Sequence, residues 1–154
     1  MLRLARDRGE AKKIFLGETD LFFFFLKGGR CESQAARIIE QAETEQIELR
    51  TSSEIYDDAI SAIRAGGGTL SLAQEFVSDM KSIPHSALPM NGGIAEEAMK
   101  LYGEFGGRRR LSYFDSFHVA TARWSELALL TSDKYILDNA VNLHISVVDL
   151  SAWI

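Results

Sequence analysis

The chain has 154 residues, 46% of them hydrophobic and 25% charged, with a formal net charge of −5. That length suits one typical domain with a sizeable core. The acidic balance excludes a reader that grips nucleic acid chiefly through its phosphates, which is ordinarily basic, and leaves open a nuclease whose acids are metal ligands.

Cys31 is the only cysteine, so no internal disulfide forms, and a cytoplasmic location is expected. The apolar run over residues 21–26 falls far short of the roughly 20 residues of a membrane helix, so no membrane role is expected. Residues 1–12 read as an N-terminal extension. They carry Arg3, Arg6, Arg8 and Lys12 together with Asp7 and Glu10, and no apolar stretch of signal-peptide type follows. Residues 13–154 read as the domain.

Within it, apolar runs alternate with helical patterns, which predicts βα units. A first strand over 13–18 leads into a phenylalanine-rich helix that ends at Gly28 and Gly29. Ala35, Ile38, Ile39 and Ala42 recur at helical spacing within 32–45. A strand over 47–50 runs into Thr51, Ser52 and Ser53, an N-cap cluster for a helix over 54–64. Glu54 is expected in a capping box with Thr51, and Gly66, Gly67 and Gly68 stop the helix. Amphipathic helices cover 71–83 and 93–105, with a short strand near 87–90 between them. The helix over 113–126 is apolar on two faces and is expected between layers. A strand over 127–131, a short helix from Tyr135 and a strand over 145–148 complete an α/β fold. The expected architecture is a three-layer sandwich with a central, mainly parallel twisted sheet.

Acids occupy unusual places in this pattern. Glu18, Asp20 and Asp133 fall at carboxyl ends of predicted strands, where open α/β sheets bind ligands. Asp58 falls on a stripe with Ile55, Ala59, Ala62 and Ile63. Asp115 lies among apolar neighbours, with Val119 and Ala122 on its side of the helix. Buried carboxylates need partners, and several brought together repel unless a cation joins them. Divalent-metal binding and phosphate chemistry follow if these acids meet. Each also has a local reading. Asp58 can pair with a lysine or arginine at the stripe edge. Asp115 completes a Ser-x-x-Asp box with Ser112, Asp20 and Asp133 cap the helices that follow them, and Glu18 is a solvated loop acid.

Other polar residues carry weaker signals. His118 is either a hydrogen-bonded core residue or a neighbour of the site. His85 and His144 lack zinc-ligand spacing to each other or to Cys31. Arg108, Arg109 and Arg110 precede the Asp115 helix, where they are either solvated or facing phosphates.

Four segments together resemble a PIN domain, the metal-dependent nuclease fold of VapC-type toxins and RNA-processing factors. They are Phe15-Leu16-Gly17-Glu18-Thr19-Asp20-Leu21, then Thr51-Ser52-Ser53 with Asp58, then Leu111-Ser112-Tyr113-Phe114-Asp115-Ser116-Phe117-His118-Val119-Ala120, and Leu130-Thr131-Ser132-Asp133-Lys134. The resemblance covers residues 14–150. It departs from the family pattern at Glu18, where aspartate is usual, and at Asp58, where glutamate is usual.

The resemblance implies a divalent-cation-dependent ribonuclease. Glu18, Asp58 and Asp115 would hold Mg²⁺ or Mn²⁺, supported by Asp133 and Asp20, for in-line attack of water on a phosphodiester. Arg108, Arg109, Arg110 and Ser132 would contact the RNA. A small antitoxin and a homodimer are the partners it implies. The two acid exchanges leave a catalytically silent RNA- or protein-binding module as the alternative. A phosphoacceptor receiver domain ranks last, because Asp115 sits on a helix.

Overall fold

The computed structural model describes residues 12–154, so residues 1–11 of the expected extension lie outside the described residues. The order is β1 (Lys13–Gly17), α1 (Thr19–Lys27), α2 (Glu32–Glu43), β2 (Ile47–Ser52), α3 (Ile55–Ala65), α4 (Leu70–Ser82), β3 (Ser86–Leu88), α5 (Gly92–Phe105), α6 (Tyr113–Ser125), β4 (Ala128–Thr131), α7 (Lys134–Asp138) and β5 (Val147–Asp149). A 3₁₀ turn, Leu150–Ala152, follows.

All pairings in the five-stranded sheet are parallel, in the order β3-β2-β1-β4-β5. The chain leaves β1 toward β2 and β3, then returns to the other side of β1 as β4. The topological switch therefore lies between β1 and β4, and the crevice there opens at the strands' carboxyl ends.

Alternation along the strands feeds two cores. Leu49 and Leu130 join Leu21, Phe22, Ile38, Ile55, Phe76 and Met80 on the face covered by α1 to α4. Leu16 and Leu129 join Ile94, Leu101, Leu111, Val119 and Ile136 on the other face. This is the three-layer arrangement that the hydrophobic pattern predicts. Residues 115–122 of α6 are all buried, as its two apolar faces require.

Three local expectations are corrected. Thr51 and Ser52 belong to β2, and Glu54 sits at the N-cap of α3 in helical conformation with no side-chain capping bond. The capping box is absent because the strand continues through its supposed first member. Ala62, expected on the core stripe, is exposed, since α3 packs through Ile55, Ala59 and Ile63 with Tyr56 and Ile60 at their side. The N-cap of α1 is Glu18, and Asp20 lies within the first turn with its carboxylate turned to another segment.

Candidate functional site

Glu18 leaves β1 at the switch point, its N–H donating to the Leu130 carbonyl at 3.2 Å. Its side chain is 6% exposed, so it is not the solvated loop acid of the local reading. Thr131, at the end of β4, donates its hydroxyl to Glu18 Oε2 at 2.5 Å. The same hydroxyl oxygen accepts the Asp133 N–H at 3.0 Å, which fixes the Thr131 rotamer.

Within the first turn of α1, Asp20 Oδ2 accepts both the N–H (2.8 Å) and the hydroxyl (2.5 Å) of Ser132. Asp20 Oδ1 is buried and has no partner among the described residues. Asp133 caps α7 as its local reading requires, Oδ1 accepting the Ile136 N–H at 3.0 Å. β1 and β4 are thus stitched together beyond their last backbone bonds by acid–hydroxyl pairs.

α3 and α6 bring the remaining acids. Ser112 caps α6 by accepting the Asp115 N–H at 3.1 Å, which sets Asp115 in the first turn, 8% exposed. Asp58 on α3 is half-buried, and Oδ2 accepts the Thr19 hydroxyl at 2.6 Å. His118 Nε2 lies 2.9 Å from the same oxygen. The partner of Asp58 is therefore a histidine, where a lysine or arginine was the local expectation. Asp58, Asp115 and His118 each present one ligand-type atom within 4.8 Å of the others, a spacing a single cation can span.

The electrostatics show that the acids share one pocket. Burial pushes Glu18 well above its ordinary 4.5, and the charges of Asp20, Asp115 and Asp133 push it further, while the Thr131 hydroxyl pulls it back. Burial likewise raises Asp20, countered by its bonds to Ser132 and Leu21 and raised again by Asp133. Burial raises Asp115 as well; His118 and Ser112 counter it, and Asp133 and Asp58 add to it. Carboxylates from four chain segments thus act on one another at one end of the sheet, and among them Asp58 and Asp115, with His118, come within 4.8 Å of one another. Their mutual repulsion and the orphaned Oδ1 of Asp20 are what a cation would relieve. A donor set of carboxylate oxygens suits a hard ion such as Mg²⁺ or Mn²⁺.

Ser132 stands in this pocket, but both of its donors are taken by Asp20. Arg108, Arg109 and Arg110 are exposed on the turn before α6, and Arg110 is tied to the Glu104 carbonyl at 3.1 Å. Sequence reasoning missed Arg30, whose guanidinium lies 5.5 Å from the Phe24 ring and 3.4 Å from the Ser132 carbonyl. It also missed Thr19 and Thr131 as partners of the acids, and Ser52 as the partner of His118. One signal was available: Thr51-Ser52 and Thr131-Ser132 repeat a paired-hydroxyl ending on two strands. His85 and His144 hold no metal cluster among the described residues; His85 accepts the Tyr56 hydroxyl at 2.6 Å.

An all-parallel sheet with acids gathered at its switch point defines a PIN-like α/β architecture. The PIN domain model matches residues 19–142, and the chain belongs to the PIN domain family. Two solved structures share the fold. VapBC2 from Rickettsia felis, bound to a DNA fragment from its promoter, superposes with a TM-score of 0.64 at 10% identity, over 88% of this chain and 98% of that one. A toxin–antitoxin complex from Klebsiella pneumoniae superposes with a TM-score of 0.55 at 18% identity, over 91% of this chain and 99% of that one. No curated protein matches the sequence.

Proposed function

We propose that this protein is a divalent-cation-dependent endoribonuclease that hydrolyses RNA phosphodiester bonds, and the toxin of a toxin–antitoxin pair. The observation that carries the reading is the meeting of Glu18, Asp20, Asp115 and Asp133 with Asp58 in one pocket. Glu18, Asp58, Asp115 and Asp133 are assigned the catalytic roles, with Asp20 completing the ligand set for Mg²⁺ or Mn²⁺. The cation, when bound, would supply Lewis acidity and a water of lowered pKa.

The chain's own contribution is to aim these carboxylates. Thr131 hydrogen-bonds Glu18, Ser132 hydrogen-bonds Asp20, and Thr19 hydrogen-bonds Asp58. Ser132 is therefore given a positioning role in place of the substrate contact expected of it. Arg108, Arg109 and Arg110 are assigned to the RNA backbone, because they are exposed on the turn that leads into α6. One structural neighbour is described as a toxin–antitoxin complex and the other as VapBC2 bound to promoter DNA, which supports a small antitoxin as partner. A homodimer and a cytoplasmic location belong to the same reading. No described helix is long and apolar enough to cross a membrane.

The test is cleavage of a mixed single-stranded RNA, with a DNA strand of the same sequence as the second arm. Wild type is expected to cut RNA with Mn²⁺ and to stop with chelator. Asp115→Asn is expected to lose activity on the order of 100-fold or more. Equal cleavage by both proteins rejects the mechanism. Mn²⁺ uptake without any cleavage marks the silent module instead.

A further inference from the structure

We infer that His118 is a positioning residue, which aims Asp58 into the acid pocket through a chain of hydrogen bonds that begins at the end of β2. The inference rests on the nuclease reading only for what the aimed carboxylate then holds.

The chain of bonds can be followed proton by proton. The Glu54 N–H lies 3.2 Å from Ser52 Oγ and donates to it. Ser52 Oγ is 2.8 Å from His118 Nδ1. The direction is set at the other end of the ring: a carboxylate oxygen only accepts, so the ring proton faces Asp58 from Nε2, and Nδ1 is left as the acceptor of the serine proton. Nε2 then carries the ring proton and donates it to Asp58 Oδ2, 2.9 Å away. Thr19 donates to the same oxygen at 2.6 Å. Both bonds fall on Oδ2 and leave Oδ1 without a hydrogen-bond partner among the described residues, in a side chain that has a ligand-type atom within 4.8 Å of one of Asp115.

Burial makes this relay rigid. His118 has a fully buried side chain, whereas that of Asp58 is 21% exposed. A partly exposed aspartate on a helix surface has several rotamers open to it. Two donors on one oxygen select one of them, and the imidazole is itself gripped from β2. Metal sites commonly fix their carboxylates by such outer hydrogen bonds, and losing one typically costs 10–100-fold in metal affinity.

Two amide substitutions separate the ring nitrogens. Glutamine places its NH₂ near the position of Nε2, and asparagine places its NH₂ near that of Nδ1. Mn²⁺ affinity, measured by calorimetric titration, is expected to fall about 10–100-fold in His118→Asn and in His118→Leu. His118→Gln is expected to restore most of the affinity. In an Asp58→Ala background, His118→Asn is expected to cause no further loss, because the histidine acts through the carboxylate that is gone. Additive losses there would make His118 a direct ligand and overturn the proposal, as would full affinity in His118→Asn. A measurement on the metal-free wild type needs neither a variant nor a cation: the ¹⁵N resonance of His118 reports which nitrogen is protonated. A protonated Nε2 that shifts in Asp58→Asn supports the relay, and a bare Nε2 refutes it. Should wild type take up no Mn²⁺, the nuclease reading fails, and the nitrogen assignment still decides the role of His118.

Discussion

Thr131 serves two segments with one hydroxyl. It donates to the buried Glu18 carboxylate and accepts the N–H of Asp133. Ser52 does the same at the end of β2, accepting from Glu54 and pairing with His118. Thr131→Val keeps the shape of a fully buried side chain and removes the hydroxyl's bond to the buried Glu18 carboxyl. It is expected to cost about 1.5–3 kcal/mol in urea unfolding at neutral pH, while Thr131→Ser retains most of the stability. A valine variant as stable as wild type would show that this bond contributes nothing. The acids themselves were legible from their positions at strand ends and on helix stripes. Their hydroxyl partners were not, because a short polar side chain at a strand end looks the same as the N-cap of the next helix. The Thr51-Ser52-Ser53 cluster looks like a cap for that reason, whereas Thr51 and Ser52 continue β2.

The helices follow their periodicity closely, since each buries a stripe that the sequence spells out. The edge strands follow it less well: a strand expected over 145–148 is found at Val147–Asp149, and one expected near 87–90 at Ser86–Leu88. A strand of three residues has its limits set by the partner it pairs with, which no local pattern encodes. The link between α5 and α6 shows how an element positions the site. Gly106 ends α5, the Leu111 N–H returns to the Phe105 carbonyl at 3.2 Å, and Ser112 then starts α6 and sets the depth of Asp115. A Cβ on Gly106 would sit 2.2 Å from the Tyr102 carbonyl oxygen, which is backbone and cannot step aside. Gly106→Ala is therefore expected to cost about 1–3 kcal/mol. Gly103, in the same helix, has open space where its Cβ would be. Gly103→Ala is expected to stabilise by about 0.5–1 kcal/mol through helix propensity. Thermal unfolding of the two variants should show opposite shifts, and shifts of the same sign would contradict the steric account.

At the scale of the whole molecule, the meeting of the acids is a product of strand order. Spacing along the chain showed which residues end strands, but it did not show that β4 returns to the side of β1 opposite β2. That return is what brings Glu18 and Asp20 against Thr131 and Ser132 and under the charge of Asp133. The fold carries a measurable cost for it. Glu18, Asp20 and Asp115 are all held above their ordinary values, 4.5 for the glutamate and 3.8 for the aspartates, first by burial and then by one another. Between those ordinary values and the raised ones the folded chain binds more protons than the unfolded chain. Its stability must then fall as pH rises through that window. Metal-free protein is accordingly expected to melt at a higher temperature near pH 5.5 than near pH 8. A bound cation acts in the opposite direction, because protons compete with it for the same oxygens. At a hundred times its dissociation constant, Mn²⁺ would add about 2.7 kcal/mol to the native state. Calorimetric scans at the two pH values, with Mn²⁺ and with chelator, should therefore show the order of melting temperatures reverse when the ion is present. Asp115→Asn removes one of the repelling charges and one of the proposed ligands together. It should melt higher than wild type in chelator at pH 8 and gain less from Mn²⁺. A wild type whose metal-free stability rises from pH 5.5 to pH 8 would mean that these carboxylates do not repel in the folded chain, and the pocket would then give no reason to bind a cation.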